Sequence, residues 1–237
     1  MKERINELNK IFKTSTAQDI LRFLIKEYPC KMAFSTSLGA EDQVLTDMIA
    51  KMDKCVNIFT LDTGRMFYET YDTLDKTNHF YNINIEIVFP EKRDVERMVH
   101  ENGINLFYEK VEFRKLCCNI RKTLPLKKKL SGYDIWITGI RSQQSVTRQK
   151  MKLFEWDEEL NMMKVNPLIH WTEKEIWDYI RKNKVPYNIL HDKGYLSIGC
   201  APCTRAVEKG EPARNGRWWW ENPETKECGI HLKVKTV

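Results

Sequence analysis

The sequence predicts an α/β protein built on a parallel sheet. Short apolar runs of strand length alternate with stretches of helical period along most of the chain. Polar, Gly-containing segments follow several of the strand candidates. Strands separated by helices imply βαβ units with right-handed crossovers.

Residues 3–12 and 17–28 have amphipathic helical spacing. Lys31–Ser35 is a short strand, followed by the turn Thr36-Ser37-Leu38-Gly39. Glu41–Met52 is a helix through Val44, Leu45, Met48 and Ile49. Val56–Leu61 is a strand and Phe67–Phe80 a helix. Ile85–Phe89 is a strand stopped by Pro90, and Asp94–His100 a helix. Asp134–Thr138 is a further strand. Thr172-Glu173-Lys174-Glu175 is a capping box that starts a helix. After about residue 190 the periodicity breaks down, and Gly, Pro, Arg and Trp accumulate around Trp218-Trp219-Trp220. The reading is one domain over residues 1–237, with N-terminal helices over about 1–28 and a mobile C-terminal segment over about 205–237.

The hydrophobic share of 42% supports a sizeable core. No apolar run is long enough to cross a membrane, and the charged N-terminus lacks the apolar stretch of a secretory signal, so a cytoplasmic protein is expected. Lys and Arg number 39 against 33 Asp and Glu, a net charge of +6 that suits either a small anionic substrate or nucleic acid.

Phe34-Ser35-Thr36-Ser37-Leu38-Gly39-Ala40-Glu41-Asp42 joins a strand to a helix. Small residues let a ligand approach the backbone, and unpaired N–H groups at a helix start attract anions. It is not a Walker loop, since no Gly-Lys-Ser/Thr follows. Leu61-Asp62-Thr63-Gly64-Arg65 and the stretch Gly139–Arg148 end two other strands. Three such ends at one sheet edge describe a nucleotide cleft.

The seven cysteines are unevenly spaced. In a cytosolic protein this favours metal or catalytic thiols over disulfides. Cys117-Cys118 and Cys200-Ala201-Pro202-Cys203 form two pairs. Adjacent cysteines converge on one small zinc ion only with backbone strain, whereas a four-iron cube offers each thiolate its own iron. The spacing favours the cluster, with zinc as the alternative. Cys30 and Cys55 flank predicted strands and are expected in the core. Cys228 lies in Lys226-Glu227-Cys228-Gly229-Ile230-His231. Gly229 frees the backbone there, and Lys226, His231 and Lys233 favour the thiolate.

These cysteines, with Lys-Glu-Cys228-Gly-Ile-His, resemble the assimilatory sulfonucleotide reductases in their cluster-bearing adenylyl-sulfate branch. The resemblance runs from about Lys31 to His231 and takes in Arg121-Lys122 and Arg214-x-x-Arg217-Trp-Trp-Trp. It implies a Rossmann-like α/β fold of the adenine nucleotide α-hydrolase type and a [4Fe-4S] cluster on Cys117, Cys118, Cys200 and Cys203. It implies that the loop with Ser35, Ser37 and Gly39 receives the phosphosulfate, and that Leu61 and Gly139 meet adenosine through backbone. Lys122, Arg148, Arg214 and Arg217, with His231, would meet the substrate, the arginines offering paired donors to its oxyanions. Cys228 would attack the substrate sulfur and carry an S-sulfonate, which thioredoxin would then reduce. The loop Ser35-Thr36-Ser37-Leu38-Gly39 resembles the branch that takes the 3′-phosphorylated substrate, so that activity or a dual one is the alternative.

Two other readings are weaker. An ATP-pyrophosphatase of the same fold needs Ser-Gly-Gly-x-Asp-Ser, and this loop lacks the glycine pair. A zinc-stapled nucleic-acid-binding module needs clustered cations, and here lysines are scattered among acids.

Overall fold

The structure is a computed structural model that describes residues 1–52, 55–145, 148–208, 210–222 and 229–230. Its elements follow the expected alternation. They are α1 (Ile5–Ile11), α2 (Ala17–Glu27), β1 (Met32–Thr36), α3 (Ala40–Met52), β2 (Asn57–Leu61), α4 (Tyr68–Tyr81), β3 (Glu86–Val88) and α5 (Lys92–Asn102). There follow α6 (Val111–Cys118), a π turn (Asn119–Thr123), α7 (Leu124–Leu130), β4 (Ile135–Ile137), β5 (Phe154–Asp157), β6 (Met162–Val165) and α8 (Glu173–Asn183).

The strands form one sheet in the order β3-β2-β1-β4-β6-β5. Pairs β1–β2, β1–β4 and β4–β6 are parallel, with Phe34 opposite both Ile58 and Ile137. Strands buried on both faces read as continuous apolar runs, which is why β1 and β4 were legible. The edge departs from the all-parallel expectation. β5 and β6 form an antiparallel hairpin whose turn is closed by Asp157 accepting from the N–H groups of Glu159 and Leu160. The mixed sequences Phe-Glu-Trp-Asp and Met-Met-Lys-Val carry little strand signal. The capping box of α8 forms as expected: Thr172 accepts from Glu175 N–H at 3.2 Å, and Glu175 accepts from Thr172 N–H at 2.7 Å.

Residue contacts divide the chain into two compact units. The first comprises Met1–Thr60, Tyr68–Glu86 and Leu130–Leu190. Its core gathers Leu21, Phe34, Leu45, Ile49, Ile137 and Val165, all buried. Each such side chain contributes about 1.5–3 kcal/mol on burial. The second comprises Leu61–Phe67, Ile87–Lys129 and His191–Val237, with a smaller core of Met98, Phe107, Ile120, Cys118, Cys203 and Trp218. Among the described residues no helix is long and apolar enough to cross a membrane.

Cys30 and Cys55 correct the expectation placed on them. Both are exposed and they form a disulfide, with Cα atoms 5.2 Å apart. The register explains the pairing. Ala33 of β1 lies opposite Asn57 of β2, so the residues just before these two strands meet at one end of the sheet. Cys30 holds a left-handed φ of 58°.

Candidate active site

In the first unit, β1 delivers the loop 37–39 to the start of α3. Leu38 holds a φ of 59°, and its N–H donates to Thr36 Oγ1 at 3.0 Å. The Asp42 carboxylate accepts from both the N–H and the hydroxyl of Ser37, each at 2.6 Å. Burial pushes the Asp42 acid up to about 6, against the opposing pull of the Ser37 bonds and Arg148. Gly139 follows β4 and packs on this carboxylate; a Cβ there would overlap Asp42, so only glycine fits. Ser35 Oγ accepts from Trp136 Nε1 at 2.7 Å. Arg141 is paired with Glu41 at 2.8 Å, and Arg148 donates to Gln144. The structure therefore gathers Ser37, Gly139 and Arg148 around Asp42, with Gly39 beside Ser37 and Ser35 held by Trp136. The sequence had placed Asp42 only in the loop motif.

In the second unit, Cys117 and Cys118 end α6, and Arg121 and Lys122 sit on the π turn that follows. Such turns are frequent at functional sites because they re-aim side chains within a continuous helix. Cys200 caps a 3₁₀ turn that ends in Cys203, with Cys203 N–H donating to Cys200 O at 3.0 Å. The end of β2 supports this turn. Ala201 N–H donates to Arg65 O at 2.8 Å, and Thr63 Oγ1 lies 3.3 Å from Cys200 Sγ in a hydrogen bond. Arg121 Nη1 donates to Thr63 O at 2.6 Å. The bridge Thr204–Arg217 and the bond from Trp218 N–H to Cys203 O bring the tryptophan segment alongside.

All four thiols, Cys117, Cys118, Cys200 and Cys203, line one cavity with Lys122 and Arg217. Arg65, Arg114, Arg121 and Trp218 also line it. Burial pushes the Cys203 thiol up to about 12 and Cys117 upward as well, while neighbouring Lys122 pulls both back. Two donors here, Arg217 Nε and Trp218 Nε1, are buried without a hydrogen-bond acceptor among the described residues. Such orphans are rare and call for a partner. Arg217 also donates to Ile198 O at 3.2 Å, and its guanidinium packs against Gly199, where a Cβ would crowd it. Arg214 lies 5.9 Å from the Trp218 ring. Among the described residues no three of His, Cys, Asp or Glu are grouped round a single metal ion.

The comparisons with known proteins bear on these arrangements. The model of the phosphoadenosine phosphosulfate reductase domain matches residues 31–206. The chain belongs to the phosphoadenosine phosphosulfate reductase family. It is 50% identical over 202 residues to a protein of Allochromatium vinosum named adenosine 5′-phosphosulfate reductase, covering 85% of this chain and 79% of that one. It is 46% identical over 218 residues to a protein of that name from Burkholderia cepacia, covering 92% and 87%. The crystal structure of phosphoadenylyl-sulfate reductase from Candida auris in a phosphate complex matches with a TM-score of 0.73 and 31% identity, over 87% of this chain and 98% of that one. An NH3-dependent NAD synthetase from Campylobacter jejuni, at a TM-score of 0.53, 11% identity and coverage of 76% and 75%, shares the fold alone. The family and fold inferred from the sequence are thus borne out.

Within this reductase family member, the remaining expected residues fall in different places. Leu61 ends β2. Cys228 and His231 lie outside the described residues. The sequence offered no signal for Arg114 or Glu221, which pair across 107 positions. Thr63 and Trp218 were visible only as members of motifs.

Proposed function

We propose that this protein reduces adenosine 5′-phosphosulfate to sulfite and AMP, in sulfate assimilation leading to cysteine. The observation that carries the reading is the identity of 46–50% to proteins named for that reaction, over most of both chains. The thiolate of Cys228 attacks the substrate sulfur. A sulfur–sulfur bond forms, the sulfur–oxygen bond to the phosphate breaks, and AMP departs with the electron pair. A dithiol then attacks Cys228 Sγ, releases sulfite, and resolves its mixed disulfide with its second thiol, returning Cys228 reduced. Thioredoxin is the donor we propose, acting in the cytoplasm.

Ser35, Ser37 and Gly39 serve the phosphosulfate, Leu61 and Gly139 the adenosine, and Lys122, Arg148, Arg214 and Arg217 the anionic oxygens. His231 assists at the tail. Arginine donors suit these oxyanions and stabilise the departing AMP.

The cofactor we propose is a [4Fe-4S] cluster on Cys117, Cys118, Cys200 and Cys203. The donor set fits it: four thiols line one cavity, and the orphaned donors of Arg217 and Trp218 match the acceptor sulfurs of such a group. When bound, the cluster supplies charge that keeps Lys122 and Arg121 in place, and thiol exchange moves electrons in pairs without it.

The test is anaerobic purification followed by iron analysis, a visible spectrum and a sulfite assay with adenylyl sulfate and thioredoxin. About four irons per chain and sulfite release are expected. Absence of sulfite with either sulfonucleotide would reject the reaction, and stoichiometric zinc would reject the cluster. The likeness to the Candida auris enzyme at 31% identity favours a second reading, reduction of the 3′-phosphorylated nucleotide. Competition between the two substrates, compared by kcat/KM, separates them.

A further inference from the structure

The hydroxyl groups around the loop after β1 differ in what their protons do. Ser37 Oγ donates to Asp42 Oδ2 at 2.6 Å, so its proton is committed inside the loop. Thr36 is buried, and its Oγ1 accepts from Leu38 N–H. Ser35 is half-buried, and its Oγ accepts from Trp136 Nε1 at 2.7 Å. An indole N–H only donates, so this bond occupies an oxygen lone pair and leaves the Ser35 proton available. Among the described residues that proton meets no acceptor.

Trp136 is placed to set this hydroxyl. It is fully buried on β4, opposite Ala33 of β1. Residues two apart on a strand share a face, so Ser35 lies on the face of Ala33 and the indole reaches it diagonally. On its other side Trp136 stands opposite Lys164 of β6, whose ammonium lies 5.1 Å from the ring centre. Lys164 is itself 5% exposed. A buried cation over the ring face draws on its π density and makes the indole N–H a stronger donor. The row Ser35–Trp136–Lys164 crosses three neighbouring strands and ends in one available hydroxyl proton.

We propose that Ser35 is the hydroxyl that donates to the anionic group of the nucleotide, and that Trp136 is its positioning residue, holding Oγ as an acceptor on one side so that the proton faces the ligand. This rests on the reading of the loop after β1 as the phosphosulfate site. It separates two serines that look alike in the sequence. Ser37 serves the ligand by shaping the loop through Asp42, and Ser35 serves it by direct donation.

The test is a double-mutant cycle on the cluster-loaded full chain, with AMP as the probe and calorimetry as the readout. Ser35→Ala should weaken AMP binding about tenfold, the scale of one hydrogen bond to a charged group. Trp136→Phe keeps an aromatic ring and removes the N–H; it should weaken binding about fivefold. Added to Ser35→Ala it should cost nothing more, so the double variant stays near about tenfold, against about fiftyfold for independent effects. If Trp136→Phe does not fold, benzothienylalanine at position 136 takes its place, since sulfur there replaces the N–H within the same bicyclic outline. Losses that multiply overturn the proposal, because Trp136 would then act by a route other than Ser35. A folded Trp136 variant, or Ser35→Ala, that binds AMP like the parent also overturns it. A parent that binds no AMP would instead remove the nucleotide reading of the site, so the two failures are distinct.

Discussion

The loop after β1 and the thiol cavity both bury charge, but of opposite sign and with different partners. Asp42 is held by one backbone N–H and one hydroxyl, both from Ser37 five residues away. Neutral donors offset only part of its desolvation, and its acid is pushed up to about 6. The thiol cavity is walled by guanidinium groups, of which Arg114 is fully paired with Glu221. Its partners come from residues more than a hundred positions apart. A short loop can position a group that titrates near neutrality. A fixed positive field needs several long-range segments and persists at any pH the fold survives, because arginine does not deprotonate.

The largest expected effect separates the two regions by function. Cys228→Ser should lower turnover on the order of 10³-fold or more, because a hydroxyl is a poor nucleophile at neutral pH. The Asp42 loop and the cavity are left untouched, so AMP binding and iron content should match the parent. With the parent and no reductant, an adduct of about 80 Da, one SO₃ group, should map to the Cys228 peptide. An adduct on any other cysteine would assign the chemistry to another thiol.

The two regions also differ in how far the sequence disclosed them. The loop and its helix were legible because their determinants are local: an apolar strand, a hydroxyl-rich turn and acids in the first helical turn. Thr172 and Glu175 were legible for the same reason. The cavity was legible only through its cysteine pairs and the family resemblance. Arg114 and Glu221 carried no signal, since nothing local marks partners 107 positions apart. The α6 helix was missed because it is short, and only Arg114 and Cys118 are buried on it. The disulfide was missed for a different reason. Expectation from compartment argued against it, and only the register of β1 on β2 brings Cys30 to Cys55.

That disulfide gives the next effect in size. It closes a loop of 25 residues between the starts of β1 and β2. Reducing it, or replacing Cys30 by Ser, should cost roughly 3 kcal/mol of stability through the freed unfolded chain. Both cysteines precede their strands, at the end away from the Ser37 loop, so turnover at low temperature should change less than about twofold. Parallel urea titrations of the parent and Cys30→Ser, both under non-reducing conditions, measure the difference. A Cys30→Ser variant as stable as the parent would mean that the staple constrains nothing. A large loss of turnover would mean that the loop after β1 depends on the far end of its strand.

The smallest effect probes Asp42 itself. Its folded acid sits near 6, above the ordinary value of 3.8, so the neutral form is the one the fold prefers. The stabilisation from that preference is fully present below about pH 4 and is lost as pH rises through about 6. In Asp42→Asn the amide does not titrate, and its oxygen can still accept from Ser37. The parent should therefore gain about 2 kcal/mol over Asp42→Asn on moving from about pH 7.5 to about pH 4. Using the difference between the two proteins cancels the other titrating groups they share. Urea titrations of both at the two pH values supply it. A difference that stays constant with pH would show that Asp42 is ionised throughout. Its two bonds from Ser37 would then outweigh its burial, and the loop would be as fixed in charge as the arginine-walled cavity.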